Sequence, residues 1–127
     1  MRTLIISSRS QWENSLNQLE NWLVEFHIHP TIQQHIYVSF DEIVSNIFRH
    51  NSTQKTIKIN IKIDLETSFI ALTFSDNCPL FNPLNKIDKV EISLGGWGID
   101  IVKKLMDEIH YEIVNDKNCL SIKKYIV

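Results

Sequence analysis

The sequence predicts an α+β fold, a two-layer sandwich with helices on one face of a mixed, mostly antiparallel sheet. Two long stretches between residues 11 and 50 repeat apolar residues at three- and four-residue spacing, the mark of amphipathic helices. Several shorter runs elsewhere are strand-like, and two of them follow one another closely enough to pair as antiparallel neighbours. The resulting order, β, α, α, β, β, loop, α, β, β, favours helices gathered on one side of a sheet. With 127 residues and 43% hydrophobic content the chain can bury one good core, so one domain over residues 1–127 is expected.

Each element has its own signal. TLIIS, residues 3–7, reads as a short strand. Ser8 or Ser10 can cap a helix over 11–27, where Trp12, Leu16, Leu19, Trp22 and Leu23 recur at helical spacing. Pro30 suits the first turn of a second helix over 30–50 with an apolar stripe of Ile36, Phe40, Ile43, Val44 and Ile47. TIKINIKID and SFIALTFSD follow as an antiparallel pair turning near Leu65 and Glu66. After a loop containing Pro79 and Pro83 comes a helix over 98–108, then the strands IHYEIV and CLSIKKYIV with Asp116 in the turn between them.

Charge and composition narrow the function. Thirteen basic residues against 15 acidic ones, with no Lys/Arg block, leave no electrostatic footprint for nucleic acid or an anionic membrane. The opening apolar run is too short for a signal peptide and no 18-residue apolar stretch occurs, so a cytoplasmic location is expected. Cys78 and Cys119 are too few for a disulfide framework or a zinc site. His27, His29, His35 and His110 lack metal-ligand spacing.

Three stretches carry candidate chemistry. In DEIVSNIFRH, Glu42 and Asn46 are one helical turn apart, on a side of the second helix expected to point away from the core or along its edge, together with positions 35, 39 and 49. A solvated helix face explains such a pair; so does phosphate chemistry, which needs a carboxylate to orient a hydroxyl and an amide oxygen to ligate Mg²⁺. In FSDNCPLFNP a strand ends on Asp76, either as a turn former or as an acceptor for an exocyclic amine. The third stretch, SLGGWGIDIVKKLMDE, holds all three glycines, Gly95, Gly96 and Gly98, just before a helix. There they can form a hinge or let backbone amides approach a phosphate. No G-x-x-x-x-G-K-[ST] occurs, which excludes a P-loop, and Ile101 occupies the third glycine position of a dinucleotide fingerprint.

Taken in order, these stretches resemble the ATP-binding domain shared by type II topoisomerases, histidine kinases and bacterial anti-sigma factor serine kinases, most closely the last, over nearly the whole chain. Glu42, Asn46 and His50 match the pattern E-x-x-x-N-x-x-x-H. Asp76, Phe81 and Pro83 match D-x-G-x-x-F-x-P, with Cys78 where that family has glycine. Gly95, Gly96 and Gly98 open a helix ending in Leu105, Met106, Asp107 and Glu108, as in the family's glycine box.

The resemblance implies ATP and Mg²⁺ as cofactors and a role for each matched residue. Glu42 would be the general base or orienting carboxylate, Asn46 the Mg²⁺ ligand and Asp76 the acceptor for the adenine amine. Residues 82–94 would form a lid, Gly96 and Gly98 would give amides to the phosphates, and Asn118 would add a polar contact near the base. Cys78 is expected to narrow the pocket or shift its loop. Members of the anti-sigma type phosphorylate a serine or threonine of a small antagonist protein and hold a sigma factor, usually as homodimers. Glu42 and Asn46 favour that activity here, whereas Cys78 favours the alternative of a non-catalytic partner-binding module.

Overall fold

The computed structural model describes residues 1–54, 56–85 and 98–126. Its elements are β1 (Arg2–Ile6), α1 (Arg9–Glu25), α2 (Pro30–His50), β2 (Ile59–Leu65), β3 (Phe69–Asp76), α3 (Gly98–Leu105), β4 (Glu108–Val114) and β5 (Lys117–Tyr125).

Local chemistry sets the boundaries. Of the two candidate caps, Ser8 is the one used: its Oγ accepts the Gln11 N–H at 3.2 Å, while the Gln11 side chain accepts the Ser7 N–H at 2.6 Å. α1 ends without a glycine; His27 takes the left-handed turn instead, at φ 59°. Pro30 opens α2, and His29 Nδ1 accepts the Thr31 N–H at 3.1 Å. α3 stops at Leu105, short of the expected Glu108, because the Asp107 N–H has joined the sheet through Lys123 O at 2.9 Å and Lys124 Nζ caps the Leu105 carbonyl at 2.6 Å. Asn115 and Asp116, at φ 51° and 62°, make a two-residue hairpin that pairs Val114 with Lys117.

The five strands run in the order β1-β2-β3-β5-β4 and every described pairing is antiparallel, so no parallel component of a mixed sheet occurs among the described residues. Alternation sorts the central strands. Ile59, Ile61 and Ile63 of β2 and Ile70, Leu72 and Phe74 of β3 are buried, while Lys62 between them is exposed. α2 lays Ile36, Phe40, Ile43 and Val44 on that face, with the Phe40 ring tilted against Phe74 at 5.6 Å between centroids. Each such side chain stabilises the fold by roughly 1.5–3 kcal/mol through burial. α1 is held beside α2 by Trp12, which stacks on Phe48 at 5.6 Å and donates its Nε1–H to Asp41 at 3.0 Å.

The expected orientation of one α2 flank is corrected by α3. Ser39 and Asn46 are buried, not edge residues, because α3 packs along α2. The register then fixes where polar groups gather: Asp76 at the end of β3 lies directly opposite Asn118 at the start of β5.

Candidate functional site

The C-terminal half of α2, the Asp76 end of β3, the start of β5, Tyr111 of β4, Ile99 of α3 and the loop from Pro79 to Pro83 enclose a cavity of about 310 Å³. That volume lies within the range of small-molecule sites, roughly 300–1,000 Å³. Ile43, Ile47, Ile99 and Leu120 make its walls apolar, and Phe81 stands beside His50 at 4.7 Å between ring centroids.

The polar end of the cavity is built around Asn118. Its Nδ2 donates to Asp76 Oδ1 at 2.9 Å and also faces the carbonyls of Pro79 at 3.1 Å and Cys78 at 3.3 Å. Its Oδ1 accepts the Phe81 N–H at 2.9 Å and the Tyr111 hydroxyl at 2.5 Å. Both ends of the amide are therefore spent on the protein, which fixes its orientation and leaves nothing for a direct bond to a ligand. Asn118 acts on the cavity by holding the loop and Asp76, a different part from the base contact expected of it. Asp76 Oδ1 is engaged a second time by the Cys78 N–H at 3.0 Å, and among the described residues the other carboxylate oxygen accepts no hydrogen bond.

Cys78 does not narrow this space. Its side chain belongs to the hydrophobic core and is absent from the cavity lining, and its φ lies outside the left-handed region that would require glycine. Burial, with the Asp76 charge adding to it, pushes the Cys78 thiol up to about 12, so it stays a neutral core group at physiological pH. Tyr111 is raised for the same two reasons, burial first, and remains a donor to Asn118.

Of the motif residues singled out in the sequence, Asn46, His50, Asp76, Phe81 and Pro83 line the cavity together with Asn118. Asn46 is buried against it, and its Oδ1 accepts a hydrogen bond from Arg49 Nη2 at 3.3 Å. Glu42 stands outside the lining, partly buried, with its carboxylate against the backbone of Gly98. Gly95, Gly96 and the lid from residue 86 onward lie outside the described residues; of the lid, Asn82 Oδ1 accepts the Leu84 N–H in a tight turn. Tyr111 was not among the expected site residues. The turn at Asn115 and Asp116 is two residues long, shorter than the four between the expected strands, and this sets Tyr111 opposite Leu120 on the inward face.

Among the described residues, three helices lie on an antiparallel sheet with a cavity between α2 and the strand ends, an α+β architecture. The family model for the histidine kinase-like ATPase domain matches residues 7–124, and the chain belongs to that family. Two solved structures share the fold. A chain of the SiaB–SiaC complex from Pseudomonas aeruginosa is 15% identical at a TM-score of 0.67, over 97% of this chain and 88% of that one. The catalytic domain of the histidine kinase ThkA, in a nucleotide-free form, is 14% identical at 0.59, over 99% and 98%. No curated protein matches.

Proposed function

We propose that the whole chain, residues 1–127, is one ATP-binding domain acting as a cytoplasmic serine/threonine protein kinase of the anti-sigma type, phosphorylating a small antagonist protein and regulating a sigma factor by partner switching. The observation that carries the reading is Asp76: a buried carboxylate at the polar end of an apolar cavity, one oxygen held by Asn118 and Cys78 and the other without a partner among the described residues. An exocyclic amine of adenine is the donor such an acceptor suits, and Ile43, Ile47 and Leu120 would offer the purine apolar contact. Family membership supports ATP as the ligand, and the place of a similar chain in the SiaB–SiaC complex supports a protein partner.

Among the described residues no group of three or more His, Cys, Asp or Glu could hold an ion alone. The Asn46 amide oxygen lies at the cavity, and among the described residues its hydrogen bond is the weak one from Arg49, so Asn46 would be the residue to hold a Mg²⁺ ion. Bound there, Mg²⁺ would neutralise phosphate charge. Glu42, four residues earlier on α2, would orient the attacking hydroxyl and take its proton. A homodimer is part of this reading.

The test is thermal unfolding with Mg²⁺ and ATP, with ATP and a chelator, and with Asn46→Ala. Ligand at about 100 times its Kd adds about 2.7 kcal/mol, a rise on the order of 10 °C for a domain near this size. A Mg²⁺-dependent rise lost in Asn46→Ala is expected. No rise at millimolar ATP would remove the kinase reading and leave a partner-binding module.

A further inference from the structure

We propose that Gly98 is a positioning residue for the Glu42 carboxylate, an inference that rests on the reading of Glu42 as the base. Gly98 is the buried first residue of α3. A Cβ built on it would stand 2.6 Å from Glu42 Oε2 and 3.6 Å from both Cβ and Cδ of the same side chain. Glu42 therefore lies lengthwise along the bare Cα of Gly98. The backbone there does not take a left-handed φ, so what the position requires is space and not conformational freedom.

The contact makes a seat for the carboxylate. The positive end of α3 draws the negative charge toward it, and the missing Cβ lets the charge approach the backbone closely. The atom a methyl group would meet first is the far end of a flexible side chain, so Gly98→Ala is accommodated by displacing the carboxylate, with the fold intact. Restoring ordinary contact distance moves it by roughly 1 Å, and a misplacement of that size can lower a chemical step on the order of 100-fold. Gly98 thus serves the reaction through Glu42, separately from any amide its backbone offers a phosphate.

Two readouts test this, with ATP as the only probe. In the first, ATP turnover and ATP affinity are measured for Gly98→Ala, Glu42→Gln and the double variant. The expected result is a loss of turnover on the order of 100-fold in Gly98→Ala, ATP affinity within about 3-fold of wild type, and no added loss when Glu42 is already Gln. Affinity weakened more than about 10-fold, or losses that add, would mean that the glycine serves the nucleotide directly and would overturn the role. In the second, melting temperatures are compared without nucleotide. Gly98→Ala should raise Tm by roughly 1–3 °C when Glu42 is Ala, from better helix propensity, and leave it level or lower it when Glu42 is present. Equal shifts in the two backgrounds would overturn the contact. A wild-type chain that binds ATP without turning it over would defeat Glu42 as base and this role with it, while the thermal comparison would still report the contact.

Discussion

Replacing Asn118 by alanine should cost the fold far more than its size suggests. The substitution deletes the 2.9 Å bond to the Asp76 carboxylate and leaves the Phe81 N–H and the Tyr111 hydroxyl without their acceptor. A hydrogen bond to a charged group is worth about 1.5–3 kcal/mol, and each neutral bond lost adds about 1 kcal/mol. Because Phe81 is exposed and Tyr111 only partly buried, water recovers part of that sum. The expected loss is about 3 kcal/mol, or on the order of 10 °C in Tm for a domain of this size. Urea unfolding followed by circular dichroism measures it, with an unchanged m-value showing that stability and not the unfolded state has moved. A loss below about 1 kcal/mol would refute the idea that Asn118 holds the polar end of the cavity together.

Other consequences are smaller or sit elsewhere. His27→Gly, which relieves a side chain from φ 59° at the end of α1, should stabilise the fold by about 0.5–1 kcal/mol, read as a rise of a few degrees in Tm. Phe40→Ala, which empties the contact with Phe74 at the centre of the core, should destabilise by about 3–5 kcal/mol in the same urea assay. Cys78 gives a pH signature. Its folded pKa of about 12 lies above the ordinary 9.0, so the folded state holds its proton longer than the unfolded one. The contribution is fully present below 9.0 and is lost as pH rises toward about 12. Alkaline unfolding of Cys78→Ala should therefore be shallower than that of the wild type over that window, and equal slopes would count against the burial argument.

Much of this architecture was legible because local signals agreed with one another. Pro30, the stripe from Ile36 to Val44 and the long gap before Ile59 left little freedom for α2, and period-two alternation did the same for β2 and β3. Asp76 was legible as a strand-end carboxylate and Asp116 as a turn residue, but the register of β4 and β5 was not, because β5 begins at Lys117, two residues before the run CLSIKKYIV. What escaped depended on how elements dock. Ser39 and Asn46 look like surface residues until α3 covers that flank, and helical periodicity alone cannot say which side a third helix will choose. Cys78 looks like an intrusion because the motif has glycine there, but its thiol turns into the core while only its backbone serves the loop. The seat of Glu42 against Gly98 joins residues 56 positions apart, and no local pattern announces it.

The most direct measurement is equilibrium binding of ATP and of GTP to the wild-type chain and to Asp76→Asn. If Asp76 reads an adenine amine, the wild type binds ATP in preference to GTP, and Asp76→Asn loses about 1.5–3 kcal/mol of ATP affinity, roughly 10- to 150-fold in Kd. Equal affinity for the two nucleotides, or an Asp76→Asn chain that binds ATP as tightly as the wild type, would contradict the assignment of this cavity to the base of ATP.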